Sequence, residues 1–134
     1  MAIRFKVVLA EDRSSIYMSR DNLSHLRLSK KYPKGRILNA PKNTLGMMVF
    51  KRKCDAYKWI RMNNVCSQDQ RIIKVQSYGR GKKPNLLPDF TNIDHFIEDF
   101  AKDPKEAIRN LGRYYNAMVV PTGTLCYQKL KVLT

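Results

Sequence analysis

Met47-Met48-Val49-Phe50-Lys51 is a short apolar run, and Arg52-Lys53-Cys54-Asp55-Ala56-Tyr57-Lys58-Trp59-Ile60-Arg61-Met62 follows it with helical periodicity. Arg71-Ile72-Ile73-Lys74-Val75-Gln76-Ser77 then returns to apolar, β-rich sequence. In the middle segment Ala56, Trp59 and Ile60 share one face, while Lys53, Lys58 and Arg61 share the wet one. Asn63 and Asn64 suit the end of that helix, because Asn tolerates the left-handed conformation found there. Residues 47–77 therefore read as strand–helix–strand.

Reading outward, Ile3, Phe5, Val7 and Leu9 alternate with other residues as a strand does, and Ile16 to Arg20 is a short second strand. Leu26 to Tyr32 and Arg36 to Ala40 flank Pro33-Lys34-Gly35 and read as a hairpin, followed by a loop from Pro41 to Gly46. Tyr78 to Pro88 reads as a loop. Thr91-Asn92-Ile93-Asp94 is a capping box opening a second helix. Asp103-Pro104 repeats the start signal, and Gly112 is the expected end of that helix. Ala117 to Val120 and Leu125 to Leu133 flank Pro121-Thr122-Gly123 as a second hairpin. The expected fold is α+β: a single domain over residues 1–134, with a largely antiparallel sheet of about six strands and two or three helices on one side.

Charge is distributed unevenly. Residues 1–83 carry 20 Lys and Arg against five acids, a net +15, whereas residues 84–134 carry six of each. Such an excess repels itself unless an anion neutralises it, so the expected ligand is phosphate-rich. Three patches stand out. Ser77-Tyr78-Gly79-Arg80-Gly81-Lys82-Lys83-Pro84 follows a strand: Gly79 and Gly81 would turn amides inward as an anion nest, Arg80, Lys82 and Lys83 would hold phosphate, and Tyr78 would stack on a base. Lys30-Lys31-Tyr32-Pro33-Lys34-Gly35-Arg36 puts four cations around a turn, with Tyr32 as a second stacking ring. Lys51-Arg52-Lys53 sits at a helix start, where anions are already favoured.

Other features exclude function classes. Cys54, Cys66 and Cys126 lack Cys-x-x-Cys spacing, which implies structural thiols in a reducing cytosol, with no metal and no cofactor. His25 and His95 have no nucleophile elbow near them, and no paired-acid pattern suggests a two-metal nuclease, so no catalytic residue is assigned and no enzyme is expected. Trp59, Phe96 and Phe100 fall at core-facing helical positions. The apolar run Met47 to Phe50 is too short to span a bilayer and the N-terminus lacks a secretory pattern, so no membrane association is expected. No helix-turn-helix or zinc-finger spacing appears, and binding is accordingly expected to be independent of base sequence.

Four segments taken in order carry a resemblance: Tyr32-Pro33-Lys34-Gly35-Arg36, Ala40-Pro41-Lys42-Asn43-Thr44-Leu45-Gly46 running into Val49-Phe50-Lys51, Gly79-Arg80-Gly81-Lys82, and Gly123-Thr124-Leu125-Cys126-Tyr127. Over about residues 26 to 134 the chain resembles small proteins of tailed phages and gut-phage metagenomes. That family has no established activity and brings across no catalytic residue. The resemblance implies a phage accessory protein in the cytoplasm of an infected bacterial host. The expected partner is nucleic acid. Alternatives are a nucleotide-derived host immune signal, sequestered in a basic pocket as a counter-defence, and an acidic host protein; a homo-oligomer is compatible with each.

Overall fold

The computed structural model describes residues 2–11, 13, 31–40, 46–62, 69–88, 93–114 and 117–134. The strand expected at Ile16 to Arg20, the first hairpin limb as far as residue 30, most of the loop 41–46, the helix end at Asn63-Asn64 and the Thr91 cap lie outside these residues. Six strands form one antiparallel sheet in the order β2-β8-β4-β1-β3-β7. They are β1 (Ala2–Leu9), β2 (Ile37–Asn39), β3 (Met47–Phe50), β4 (Gln70–Tyr78), β7 (Thr124–Tyr127) and β8 (Lys129–Val132). With helices α1 (Lys53–Met62), α2 (Ile93–Lys102) and α3 (Pro104–Arg109), this is an α+β fold.

The strand–helix–strand reading holds, with one strand interposed. Both β3 and β4 run antiparallel to β1 and hence parallel to each other. Parallel strands need a crossover, which α1 supplies, and β1 fills the place between them. The second hairpin does not form. Ala117–Val119, β6, pairs instead with Leu86–Pro88, β5, in a separate two-stranded sheet, so part of the expected 78–88 loop is strand. The expected strand Leu125 to Leu133 is divided at Gln128. Its first part, β7, pairs with β3, whereas its second part, β8, pairs with β4 and β2. The alternation breaks there, with Cys126-Tyr127 as apolar neighbours and Gln128-Lys129 as polar ones, and the inward side shifts from Tyr127 to Leu130 and Val132, a mark that the expected single strand passed over.

That division shapes the sheet. In a flat sheet β7 and β8 would stand four strand spacings apart, about 19 Å. Gln128 alone joins them, and two Cα steps reach no further than about 7 Å. The pairings also place Tyr127 roughly seven residues along the strand direction from Lys129. Rolling the sheet towards a barrel removes both distances, because closure couples curvature to such a stagger.

The rolled sheet has an inner and an outer face. Val8, Tyr32, Met47, Val49, Ile73, Val75, Tyr127, Leu130 and Val132 fill the inside. Outside, Val7, Leu9 and Phe50 pack with Ala56 and Trp59 of α1. Phe50 and Trp59 ring centroids lie 6.1 Å apart. Phe96 and Phe100 are buried and stack on each other at 5.6 Å, so all three aromatics expected in the core are there. Asp103 caps α3 by accepting from the Glu106 amide at 3.3 Å, with Pro104 first in the helix. The helix closes at Asn110, short of the expected Gly112, because the Leu111 amide turns to the Ile108 carbonyl three residues back and leaves the i→i−4 ladder.

One cation is sealed among the inner apolar residues. Lys6 is 4% exposed; its Nζ donates to the Met48 carbonyl at 2.8 Å and lies 5.1 Å from the Tyr32 ring centroid. β1 and β3 register only at Phe5–Phe50, so beside Lys6 the ladder has ended and a side chain reaches the β3 carbonyl. Burial lowers the Lys6 pKa to about 8, against an opposing pull from Cys126. It pushes the Cys126 thiol up to about 11 and the Tyr32 phenol well above its ordinary value.

A depressed amine penalises the fold below pH 8 and relaxes that penalty up to its unfolded value of 10.5, so Lys6 makes stability rise over this window. Cys126 and Tyr32 act oppositely from about pH 9 and pH 10, where only the unfolded chain sheds those protons. Urea midpoints should therefore rise from pH 8 to 9 and fall beyond 10. Lys6→Met, of similar volume, should abolish the rise while leaving the fall. Retention of the rise in that variant would contradict the assignment to Lys6.

Candidate nucleic-acid interface

The loop after β4 is built differently from the expected amide nest. Gly79 has φ +76 with open space where a Cβ would stand, so it serves the turn. Gly81 is outside the left-handed region. A Cβ there would sit 2.7 Å from both Cζ and the hydroxyl of Tyr127, so its glycine is required by close approach. Tyr127 in turn accepts a hydrogen bond from Arg4 Nε at 3.1 Å. The Lys82 amide donates to the Cys126 carbonyl at 2.9 Å, and the Cys126 amide donates to the Lys82 carbonyl at 2.8 Å. The loop thus crosses to β7 and spends the Lys82 amide on a β-bridge. Gly79 serves a turn and Gly81 a contact, while the side chains of Arg80, Lys82 and Lys83 remain exposed.

Tyr32 is likewise corrected as a stacking ring. It is 2% exposed, with both its amide and its carbonyl held by Arg13. Inside the rolled sheet no ring face can meet a base. Around it Lys31, Lys34 and Arg36 are exposed, and Lys30 lies outside the described residues. The turn is tied to β8, since Gly35 donates to the Val132 carbonyl at 2.8 Å and Val132 donates back to the Arg36 carbonyl at 2.9 Å.

At the start of α1 the three bases differ. Arg52 forks onto Asp55, with Nε 3.1 Å from Oδ2 and Nη2 3.2 Å from Oδ1, and this pair holds its guanidinium pKa above the ordinary value. Lys53 lies 5.9 Å from the Tyr57 ring centroid. Lys51 is exposed, and its amide donates to the Gly123 carbonyl. Arg52 is thereby committed within the fold, leaving Lys51 and Lys53 to face solvent.

The structure adds a fourth group that the charge count concealed. Lys129 holds its Nζ 5.0 Å from the Tyr78 ring centroid, and its Cα is registered opposite Tyr78. Lys131 is registered opposite Gln76, and Lys74 opposite Phe5. All three lysines project from the outer face of the sheet, opposite in sense to the inward Ile73, Val75, Leu130 and Val132. Residues 84–134 sum to zero only because every acid there falls between Asp89 and Glu106; β7 and β8 contain none. The alternation Lys74-Gln76-Tyr78 with Lys129-Lys131 was the available signal.

Comparison with protein-family models, curated proteins and solved structures finds no match. Among the described residues no helix is long and apolar enough to cross a membrane.

Gly81→Ala should cost about 2 kcal/mol, because the added methyl overpacks a ring that Arg4 holds in place. Gly79→Ala should cost about 1 kcal/mol from backbone conformation alone. Hydrogen exchange at the Lys82 and Cys126 amides should accelerate in the first variant and not in the second. Equal exchange in both would mean that the loop does not bear on Tyr127.

Proposed function

We propose that this protein is a non-enzymatic, phage-type accessory protein that binds nucleic acid through cations on its outer surface. The observation that carries the reading is how little of the charge is neutralised internally. Where both partners are among the described residues, Arg52 is the one cation of residues 1–83 that pairs with a side-chain carboxylate. Lys51, Lys53, Lys58, Arg61, Lys74, Arg80, Lys82 and Lys83 are all exposed. Lysines and arginines left in water over such a spread would meet several phosphates of a polymer at once and release its counterions.

Curvature favours a polymer over a captured nucleotide. A rolled sheet turns its outer side chains away from one another, and its interior is filled by residues such as Val8, Val49 and Leu130 at 0% exposure. The inward cations are engaged: Lys6 with Met48 and Tyr32, and Arg4 with Tyr127. Sequestering a small signal would require free cations converging on a cavity.

The test compares two charge-matched double variants by fluorescence anisotropy with mixed-sequence DNA and RNA. Arg80→Ala with Lys82→Ala removes two loop cations, and charge-assisted contacts contribute roughly 1.5–3 kcal/mol each, so affinity should fall well over tenfold. Lys102→Ala with Lys105→Ala removes the same charge from exposed positions on α2 and α3 and should cost less than threefold. Equal losses would reduce the interface to an overall field. Absence of binding by the unmodified protein would overturn the proposal.

A further inference from the structure

We infer that the outer face of β4, β8 and β2, exposed at Lys74, Lys129 and Ile37, is a platform for single-stranded nucleic acid, with Tyr78 as its stacking ring; this rests on the nucleic-acid reading above. The α1 cluster covers Phe50, Val7 and Leu9 and extends to Ile72, near the end of β4 opposite Tyr78. Beyond that cover, the cross-strand register lays out two rows. Ile3, Gln76, Lys131 and Ile37 are successive partners across β1, β4, β8 and β2. Tyr78, Lys129 and Asn39 form the next row.

Two properties of these rows identify the ligand. The first is apolar exposure where the sheet would ordinarily be polar: Ile3 is 47% and Ile37 50% exposed, at opposite ends of one row. The second is charge of a single sign. Lys74, Lys129 and Lys131 share this face, and β1, β2, β4 and β8 contain no Asp or Glu at all. A complementary partner carries dense negative charge together with accessible flat apolar surface. Unpaired nucleic acid has both, since its bases are free to stack and its phosphates alternate with them. A duplex buries its base faces and offers this platform phosphates only.

Tyr78 is the residue best placed to read that difference. It is half-buried at the end of β4, fixed by the strand on one side and followed by Gly79 on the other. The Lys129 ammonium over its ring sets a cation beside the stacking surface, so one base and its phosphate would be held by neighbouring side chains. Arg80 follows two residues later and continues the positive track into the loop.

The test measures anisotropy of a 20-nucleotide single strand and of the corresponding duplex at low salt. The unmodified protein should prefer the single strand. Tyr78→Ala should weaken single-strand binding about tenfold and duplex binding less than twofold, while Tyr78→Phe retains the preference. Photocrosslinking of a 5-iodouracil strand to the unmodified protein, read by mass spectrometry, should label Tyr78 and does not depend on a variant folding. Binding that is equal for both forms and unaffected by Tyr78→Ala, or crosslinks confined to α2 and α3, would overturn the platform while leaving nucleic-acid binding in place. Failure of the protein to bind either form would overturn both.

Discussion

Gln128 is a one-residue link between strands that stand four places apart in the sheet, and the remainder of the fold follows from it. Joining β7 to β8 through one residue is incompatible with a flat sheet and compels it to roll. Rolling creates an enclosed inner face, where Val8, Val49, Ile73, Val75, Leu130 and Val132 meet from four different strands. It also brings the β4 loop back across the inner end, where Gly81 meets Tyr127 and Lys82 bridges to Cys126. One covalent constraint thus sets the core and one boundary of the proposed interface.

The same curvature separates two populations of cation. Inside, Lys6 is held by a carbonyl and an aromatic ring and loses much of its hold on its proton, because the surrounding apolar residues cannot solvate an ammonium. Outside, Lys74, Lys129 and Lys131 share one face of the sheet, with no acid in their strands. The inner cation contributes a pH dependence to stability. The outer ones contribute an uncompensated field, which is the property a polyanion would exploit.

Much of the architecture was legible in the sequence. The alternation of Ile3, Phe5, Val7 and Leu9, the helical face of Ala56, Trp59 and Ile60, and the Asp103-Pro104 helix start all carry local physical signals, and each element forms where it was expected. The misses share a cause, which is that pairing partners are tertiary. Nothing local in Pro121-Thr122-Gly123 says that β6 leaves for β5 while β7 joins β3. Tyr32 among lysines reads as a wet aromatic, although its ring turns inward over Lys6. Gly79-Arg80-Gly81 reads as two equivalent glycines, yet Gly79 takes the left-handed conformation in open space and Gly81 lies against the Tyr127 ring. Lys129 and Lys131 were hidden by acids in distant helices, because a regional sum discards the side of the sheet on which a charge lies.

The measurement that bears most directly on a surface-spread, polymer-binding interface is the salt dependence of affinity for a single-stranded oligonucleotide. If at least four of the exposed cations contact phosphates together, the logarithm of the association constant should fall with the logarithm of salt concentration at a slope of about −2.8 or steeper, since each phosphate neutralised on a single strand contributes about −0.7. A slope near zero, or one no steeper than a single contact gives, would contradict it.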